Sequence, residues 1–449
     1  MKDLTVGKEY KLIFKFALPM LIGNVFQQLY NIVDSAIVGN FIGKQALAAV
    51  GASFPLIFLL ISLIVGITIG STIIISQYFG AKKFEQIRKA VDTINIILLI
   101  TAIITMVLGI IFSEEIFILI DLPRDIIPYA TEYLQVFLLG LPFMFGFQGI
   151  SAILRGVGDT KTPLYFLIIS TLLNIILDLI FVLVLDFGIT GVAYATVIAQ
   201  SVALLSAIVW VRTNEMLNFR IKGIVFDFDI FKESVRIGLP SGMQNIFVSL
   251  GMMAILSIVN QFGTDVVAAY SSAMRIDSLA MLPAMVFSNA LSGFVGQNIG
   301  ANKLDRVKKG LYATLIMSVI TSIIITSLII IFEYQLMSLF TNDTEVIRIG
   351  VEYLVIVSSF YTIFAIMFSL NGVMRGAGDT IIPMFITLIA LWLVRIPFAY
   401  LFSSKIGEQG IWWSIPVAWF IGMSLSLTYY LSGNWKKKAL VKIKQQNDK

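Results

Sequence analysis

The chain contains no cysteine and no histidine. The first absence excludes a disulfide framework, a thiolate metal site and a cysteine nucleophile. The second removes the side chain that ordinarily titrates near neutral pH, so any proton chemistry must use carboxylates, tyrosine or lysine. Charge is scarce as well. Only 13% of the 449 residues are Asp, Glu, Lys or Arg, and 58% are hydrophobic, whereas soluble chains carry about 25% charged residues. A soluble enzyme, a disordered chain and a collagen-like fibre are excluded. A polytopic membrane protein fits. A spanning helix needs about 20 residues, or roughly 30–40 with its loop, which allows roughly 11 to 15 spans and leaves no room for a large soluble domain. The net charge of +5 is not a nucleic-acid signal here, because basic residues in a membrane protein are first of all marks of topology.

Apolar runs between charged or Gly/Pro breaks predict twelve spans, near 12–38, 47–78, 91–112, 127–153, 162–184, 189–211, 235–260, 267–297, 310–331, 347–373, 383–402 and 410–431. Runs of this length are helices; a barrel would show short alternating segments. The opening MKDLTVGKEYKLIFKF lacks a small-residue cleavage site before its apolar stretch and reads as the first span rather than a removed signal peptide. Basic residues gather in alternate loops: Lys82, Lys83, Arg88 and Lys89; Arg155 and Lys161; Arg212, Arg220, Lys222 and Lys232; Lys303, Arg306, Lys308 and Lys309; and the tail with Lys436, Lys437, Lys438, Lys442 and Lys444. The intervening loops carry Glu114, Glu115, Asp121 and Asp125, Asp186, Asp265, and Glu333, Asp343 and Glu345. Basic loops stay cytoplasmic, so both termini are expected inside, as an even number of spans requires.

The chain repeats itself. Leu154-Arg155-Gly156-Val157-Gly158-Asp159-Thr160 returns as Met374-Arg375-Gly376-Ala377-Gly378-Asp379-Thr380, an offset of 220 residues. The same offset pairs Glu132-Tyr133-Leu134 with Glu352-Tyr353-Leu354, and Gln77, Gly80, Ala81 and Lys83 with Gln297, Gly300, Ala301 and Lys303. An offset of 221 pairs Leu18-Pro19 with Leu239-Pro240, and Asn24 with Asn245. Each repeat holds six spans, so both enter the membrane with the same orientation. The expected fold is all-α and integral to the membrane, with twelve helices in two six-helix lobes related by a pseudo-two-fold axis along the membrane normal. Residues 1–211 form the N-lobe, 212–234 a cytoplasmic linker, and 235–449 the C-lobe with a short basic tail. The duplicated RGxGDT elements read as tight turns. Glycine permits positive φ, Asp159 and Asp379 are placed to cap the next helix, and Pro163 and Pro383 fall in its first turn. Arg155 and Arg375 are expected to pair locally or to face lipid phosphates.

Acids within spans are costly and default to functional hypotheses. Asp34 in span 1 and Asp178 in span 5 each lie a few residues before the outer end of their span, about 6–10 Å at helical rise, and so at similar depth. Gln27, Tyr30 or Asn31, and Asp34 share one face of span 1, Thr171, Asn174 and Asp178 share one face of span 5, and Thr196 and Gln200 lie four apart on span 6. Such an all-oxygen set suits a hard cation or a shared proton. The second half lacks these acids. Span 11 carries Arg395 and span 8 carries Arg275 and Asp277, and an Asp277–Arg395 ion pair of structural character is expected. Pro19, Pro55, Pro240 and Pro283 lie inside spans, where proline kinks a helix; Pro19 is placed to let span 1 bend when Asp34 changes charge.

The segment NVFQQLYNIVDSAIVGNFIGKQALAAVGAS, both RGxGDT loops, LPSGMQN and AMRIDSLAMLPA resemble the multidrug and toxic compound extrusion (MATE) transporters, over about residues 10–432. The resemblance implies cation-driven efflux of organic, often cationic compounds across the cell membrane of a prokaryote, by a monomer whose partners are a small cationic substrate and the lipid bilayer. No cofactor is implied beyond H+ or Na+ as the coupling ion. The pattern is more like the DinF-like branch, which implies cation coupling at Asp34 and Asp178 with Asn174 and Thr196 as neighbouring oxygen ligands. Tyr30 matches that branch's helix 1 tyrosine and Pro19 its bending proline. The acids that the NorM-like branch uses in helices 7 and 10 have no clear counterpart. Gln27, Tyr30, Asn31, Gln148 and Ser151 are assigned to the substrate cavity.

The alternative is a lipid-linked oligosaccharide flippase of a related fold. Such a protein needs a strongly basic cavity for its pyrophosphate cargo, and the in-span cations here are few. A passive channel would not explain paired buried carboxylates, and a membrane enzyme would need a nucleophile–base pair that the sequence does not show.

Overall fold

The computed structural model describes residues 2–42, 44–120, 122–212 and 223–441. Arg220 and Lys222 in the linker, Asp121, and Lys442 and Lys444 in the tail lie outside the described residues. Two compact units emerge. The first comprises residues 1–2 and Leu18–Leu239, the second Asp3–Ala17 and Pro240–Lys449. The division falls after Leu239, and residues 3–17 group with the second repeat.

The first half of the chain folds as α1 (Glu9–Ile37), α2 (Lys44–Gly80), α3 (Phe84–Ile111), α4 (Ser113–Leu119), α5 (Ile127–Leu139), α6 (Leu141–Gly156), α7 (Lys161–Leu179) and α8 (Gly188–Arg212). The second half follows as α9 (Phe228–Val259), α10 (Thr264–Gly300), α11 (Leu304–Ile331), α12 (Glu333–Ser338), α13 (Thr344–Ser358), α14 (Tyr361–Gly376), α15 (Ile381–Leu388), α16 (Ile396–Ile406) and α17 (Gln409–Ser432). The duplication read from sequence is a duplication of structure: α2 and α10, α3 and α11, and α6 and α14 begin and end at positions 220 residues apart.

Among the described residues ten helical stretches are long and apolar enough to cross a membrane, and two bent pairs bring the total to twelve. Counted with each bent pair as one span, the helices match the twelve expected. Spans 4 and 10 are not straight: α5 and α6 meet at 46°, α13 and α14 at 48°. In the first pair Gly140 stands at the break and Pro142 lies in the first turn of α6, where the lost N–H costs nothing.

The outward faces are apolar. On α3, Ile87, Ala90, Ile94 and Leu98 are buried, whereas Leu99, Ile100, Ile103, Ile104 and Leu108 are exposed; on α11, Ile316, Ile320, Ile323 and Ile324 are exposed. Such faces match hydrocarbon rather than water. Since lipid gives no hydrophobic drive between helices, close packing must hold them together. Small residues supply it. A Cβ on Gly376 would lie 2.5 Å from the Ser292 carbonyl oxygen, and one on Gly372 would lie 2.6 Å from that of Ser288. In the first unit a Cβ on Gly156 would meet Ile75 at 2.7 Å.

The RGxGDT turns form as expected at their glycines, with Gly158 at φ +86° and Gly378 at φ +89°. Asp159 accepts from the Lys161 and Thr162 amides, both at 3.1 Å. The expectation for Arg375 is corrected. It is 9% exposed, forms no ion pair among the described residues, and sits over the Phe368 ring at 5.9 Å rather than facing lipid. Phe368 lies seven residues earlier on the same helix, so the side chain runs back along α14.

Candidate polar site of the first unit

The site grows from three helices whose polar positions recur at helical spacing. α7 presents Thr171, Asn174 and Asp178, all buried, with Asp178 fully so. The stripe is polar in a helix that is otherwise apolar, so each group must find a partner inside the protein. Asn174 does this on both sides. Its amide orientation is assigned from its neighbours, a carboxylate on one side and the Thr196 N–H of α8 on the other; so oriented, Asn174 donates to Asp178 Oδ2 at 3.0 Å and accepts from the Thr196 N–H at 3.2 Å. The Thr196 hydroxyl lies 3.1 Å from that of Tyr30 on α1. Tyr30, Thr196, Asn174 and Asp178 thus form one connected chain of polar contacts across α1, α8 and α7.

Asp34 lies one turn beyond Tyr30 on α1, within electrostatic reach of Asp178. After each acid the helix changes pitch. A π-helical segment, Val38–Ile42, follows Asp34, and another, Ile180–Val184, follows Asp178. These two segments pack against each other, which places both acids at one level of the unit. Such interruptions are frequent at functional sites because they free backbone groups and re-aim side chains.

Three buried oxygens in this region have no hydrogen-bond partner: Asp34 Oδ1, Asp178 Oδ1 and Gln200 Oε1. All three are acceptors. A surplus of buried acceptors is what a bound cation or an added proton would satisfy. Among the described residues no group of three or more His, Cys, Asp or Glu side chains is placed to hold a metal ion. The donor set is two carboxylates with neutral amide and hydroxyl oxygens, which suits a hard monovalent ion or a proton better than a transition metal.

A small pocket opens beside this chain, lined by Gln27, Tyr30, Ser170, Thr171, Asn174, Thr196 and Gln200. Of the residues assigned to a substrate cavity, Gln27 and Tyr30 line it. Gln148 and Ser151 do not; they lie on α6, which packs on α2, α3 and α8, and Ser151 is buried with its hydroxyl unpartnered. Asn31 is on α1, but its side chain lies outside the described residues. Pro19 is inside α1 at the junction of the two units.

Sequence reasoning missed Tyr133. It is buried on α5 within electrostatic reach of both Asp34 and Asp178. The signal was present in the duplicated Glu-Tyr-Leu, whose second copy behaves alike. Tyr353 is fully buried on α13 and donates to Asp277 Oδ2 at 3.1 Å. The expected Asp277–Arg395 ion pair is not formed. Tyr361 donates to the other oxygen, Asp277 Oδ1, so two hydroxyls from α13 and α14 already satisfy the carboxylate. Arg395 closes a π-helical segment, Ile389–Arg395, and its Nε is buried without a partner.

The sequence pattern of one transporter family, MatE, matches residues 19–180 and again residues 240–401. The chain belongs to the MatE family. Both matches start at a member of the Leu-Pro pair, Pro19 and Pro240. MatE relatives in Bacillus subtilis include "Probable multidrug resistance protein YpnP", 32% identical over 98% of this chain and 98% of that protein. Another, "Probable multidrug resistance protein YoeA", is 33% identical over 96% of this chain and 95% of its own length. Among solved structures, a crystal structure of MATE in the bent conformation is 25% identical, covers 97% of this chain and 98% of its own, and superposes with a TM-score of 0.91. The chain is thus a multi-pass membrane protein with the MatE fold.

Proposed function

We propose that this MatE protein is a secondary exporter of small organic, often cationic compounds, driven by inward movement of H+ or Na+ through the first unit. The reading rests on one observation above all: two carboxylates, each with one buried and unpartnered oxygen, share a site with a further unpartnered acceptor, Gln200 Oε1. A membrane-buried acid is costly unless paired, and neither Asp34 nor Asp178 forms an ion pair among the described residues. Their charge is balanced best by a mobile cation. The names of the Bacillus relatives support drugs as cargo.

In this reading Asp34 and Asp178 take up the cation, Asn174 and Thr196 orient around it, and Tyr30 links the cluster to the pocket at Gln27. Cation binding removes the mutual repulsion of the acids and biases α1, bending at Pro19, toward release of the cargo outside. The protein acts as a monomer in the cell membrane with both termini in the cytoplasm. The test is efflux of an organic cation from proteoliposomes under a pH gradient and a sodium gradient applied separately. Efflux driven by one of them supports the reading. Equal movement with and without either gradient, at full substrate gradient, would mean a passive carrier.

A further inference from the structure

We propose that the start of α1 is a fixed anchor in the second unit, and that Arg306 is the residue that positions it. Leu4 is fully buried, as is Ile13, with Phe16 and Ala17 nearly so. The backbone around Leu4 is gripped by side chains from the corner joining α10 to α11. The Leu4 N–H donates to Gln297 Oε1 at 2.8 Å, and Asn298 Nδ2 donates to the Leu4 carbonyl at 3.2 Å. Lys303 Nζ donates to the Thr5 carbonyl at 2.9 Å.

Arg306 ties the set together. It pairs with Glu9 at 2.9 Å, donates to the Gly7 carbonyl at 2.9 Å and to Asn298 Oδ1 at 3.0 Å. One guanidinium therefore holds the strap, the first residue of α1 and the amide that grips Leu4. Such charge-assisted, multiply bonded contacts are the strong ones. Gln297 and Lys303 belong to the duplicated set, so this corner is a repeated element used here to bind chain.

α1 changes unit between Ala17 and Leu18, next to Pro19, and carries Asp34 beyond that point. The second repeat does the same. α9 begins in the first unit, where Val225 N–H donates to Asp92 Oδ2 at 3.3 Å and Asp227 N–H to Thr93 Oγ1 at 3.0 Å, and it changes unit between Leu239 and Pro240. Both helices that open a repeat are thus anchored at their start in one unit, and the duplicated Leu-Pro marks where each passes into the other. A helix fixed at one end and jointed at proline turns the state of Asp34 into movement; a helix free at its start would absorb it.

The proposal rests on the export reading for its transport readout. The chain lacks cysteine, so Thr5→Cys with Lys303→Cys can be joined by a short bifunctional maleimide. The full chain is assayed for ethidium efflux in proteoliposomes. The cross-linked protein is expected to transport at the rate of the uncross-linked double variant, and arrest on cross-linking would show that the strap must release. Arg306→Ala is expected to lower efflux per folded protein at least about tenfold, and the cross-link is expected to restore it. Normal efflux in Arg306→Ala, or no rescue by the tether, overturns the assignment. Should Arg306→Ala fail to fold, Glu9→Gln with the same tether carries the test. Hydrogen exchange separates this failure from that of the export reading. The Leu4 amide is expected to stay protected with and without sodium, at low and high pH, even if no ethidium moves, and rapid exchange there overturns the anchor.

Discussion

Asn174 and Asp178, one helical turn apart on α7, are joined by a 3.0 Å bond from amide to carboxylate. The bond uses Oδ2 and leaves Oδ1 buried and unpartnered. A neutral group thus orients the acid without neutralising it. An arginine in the place of Asn174 would hold the acid ionised and close the site to any mobile cation.

Asp178→Asn is expected to abolish gradient-driven efflux while leaving expression and folding largely intact. The amide keeps the size of the side chain and removes its charge. Efflux in proteoliposomes, normalised to folded protein, checks this. An acid retained only for stability would behave otherwise: efflux per folded protein would persist when its charge is removed. Wild-type efflux in Asp178→Asn would remove the acid from the coupling site.

Much of this site was legible in the sequence because membrane helices make polar side chains conspicuous. Asp34, Asn174, Asp178 and Thr196 stand out against apolar runs, and helical spacing puts them on faces. Partners that come from distant sequence were not legible. Nothing local to Asp277 announces that Tyr353 and Tyr361 will reach it before Arg395 does. Tyr133 was hidden because a tyrosine in an apolar span reads as ordinary packing. The breaks at Gly140 and before Tyr361 were invisible because hydropathy measures length and composition, and a bend changes neither.

The basic loops predict the topology. In this cysteine-free chain, single cysteines at 83 and 308 are expected to label only after the membrane is permeabilised, and one at 343 from outside. All three positions are exposed to a reagent. Labelling at 83 in intact cells would reverse the orientation.

Close packing of α10 on α14 predicts a stability effect with no role in coupling. Gly376→Val is expected to destabilise by about 1–3 kcal/mol, the usual cost of overpacking, because even a Cβ would lie 2.5 Å from the Ser292 carbonyl. Gly51→Ala is the control, since nothing lies within 4 Å of its added carbon. Thermal melting of the detergent-solubilised protein should separate the two. Equal melting temperatures would mean that α14 shifts away from α10 without cost.

The two repeats share a fold and differ in what their buried acids are free to do. Asp34 and Asp178 retain unpartnered oxygens; Asp277 has both oxygens occupied by tyrosine hydroxyls, inside a cluster where Tyr270 stacks on Trp412 at 5.6 Å and Tyr353 meets Trp412 edge-on at 5.0 Å. An acid that cycles must exchange partners during transport. Asp277 would have to break two buried hydrogen bonds to do so, each costing about 1–3 kcal/mol if its partner is left unsatisfied. Under the proposed function Asp277 is therefore a structural acid, and Asp34 a coupling one. Asp277→Asn combined with Arg395→Gln is expected to lower stability by about 1–3 kcal/mol while the surviving folded protein still transports. Asp34→Asn should melt near the wild-type temperature and lose gradient-driven efflux. Melting curves and efflux per folded protein, measured on both variants, decide the matter. A well-folded but uncoupled Asp277/Arg395 double variant, together with an Asp34 variant that still transports, would move the coupling site from the first unit to the second.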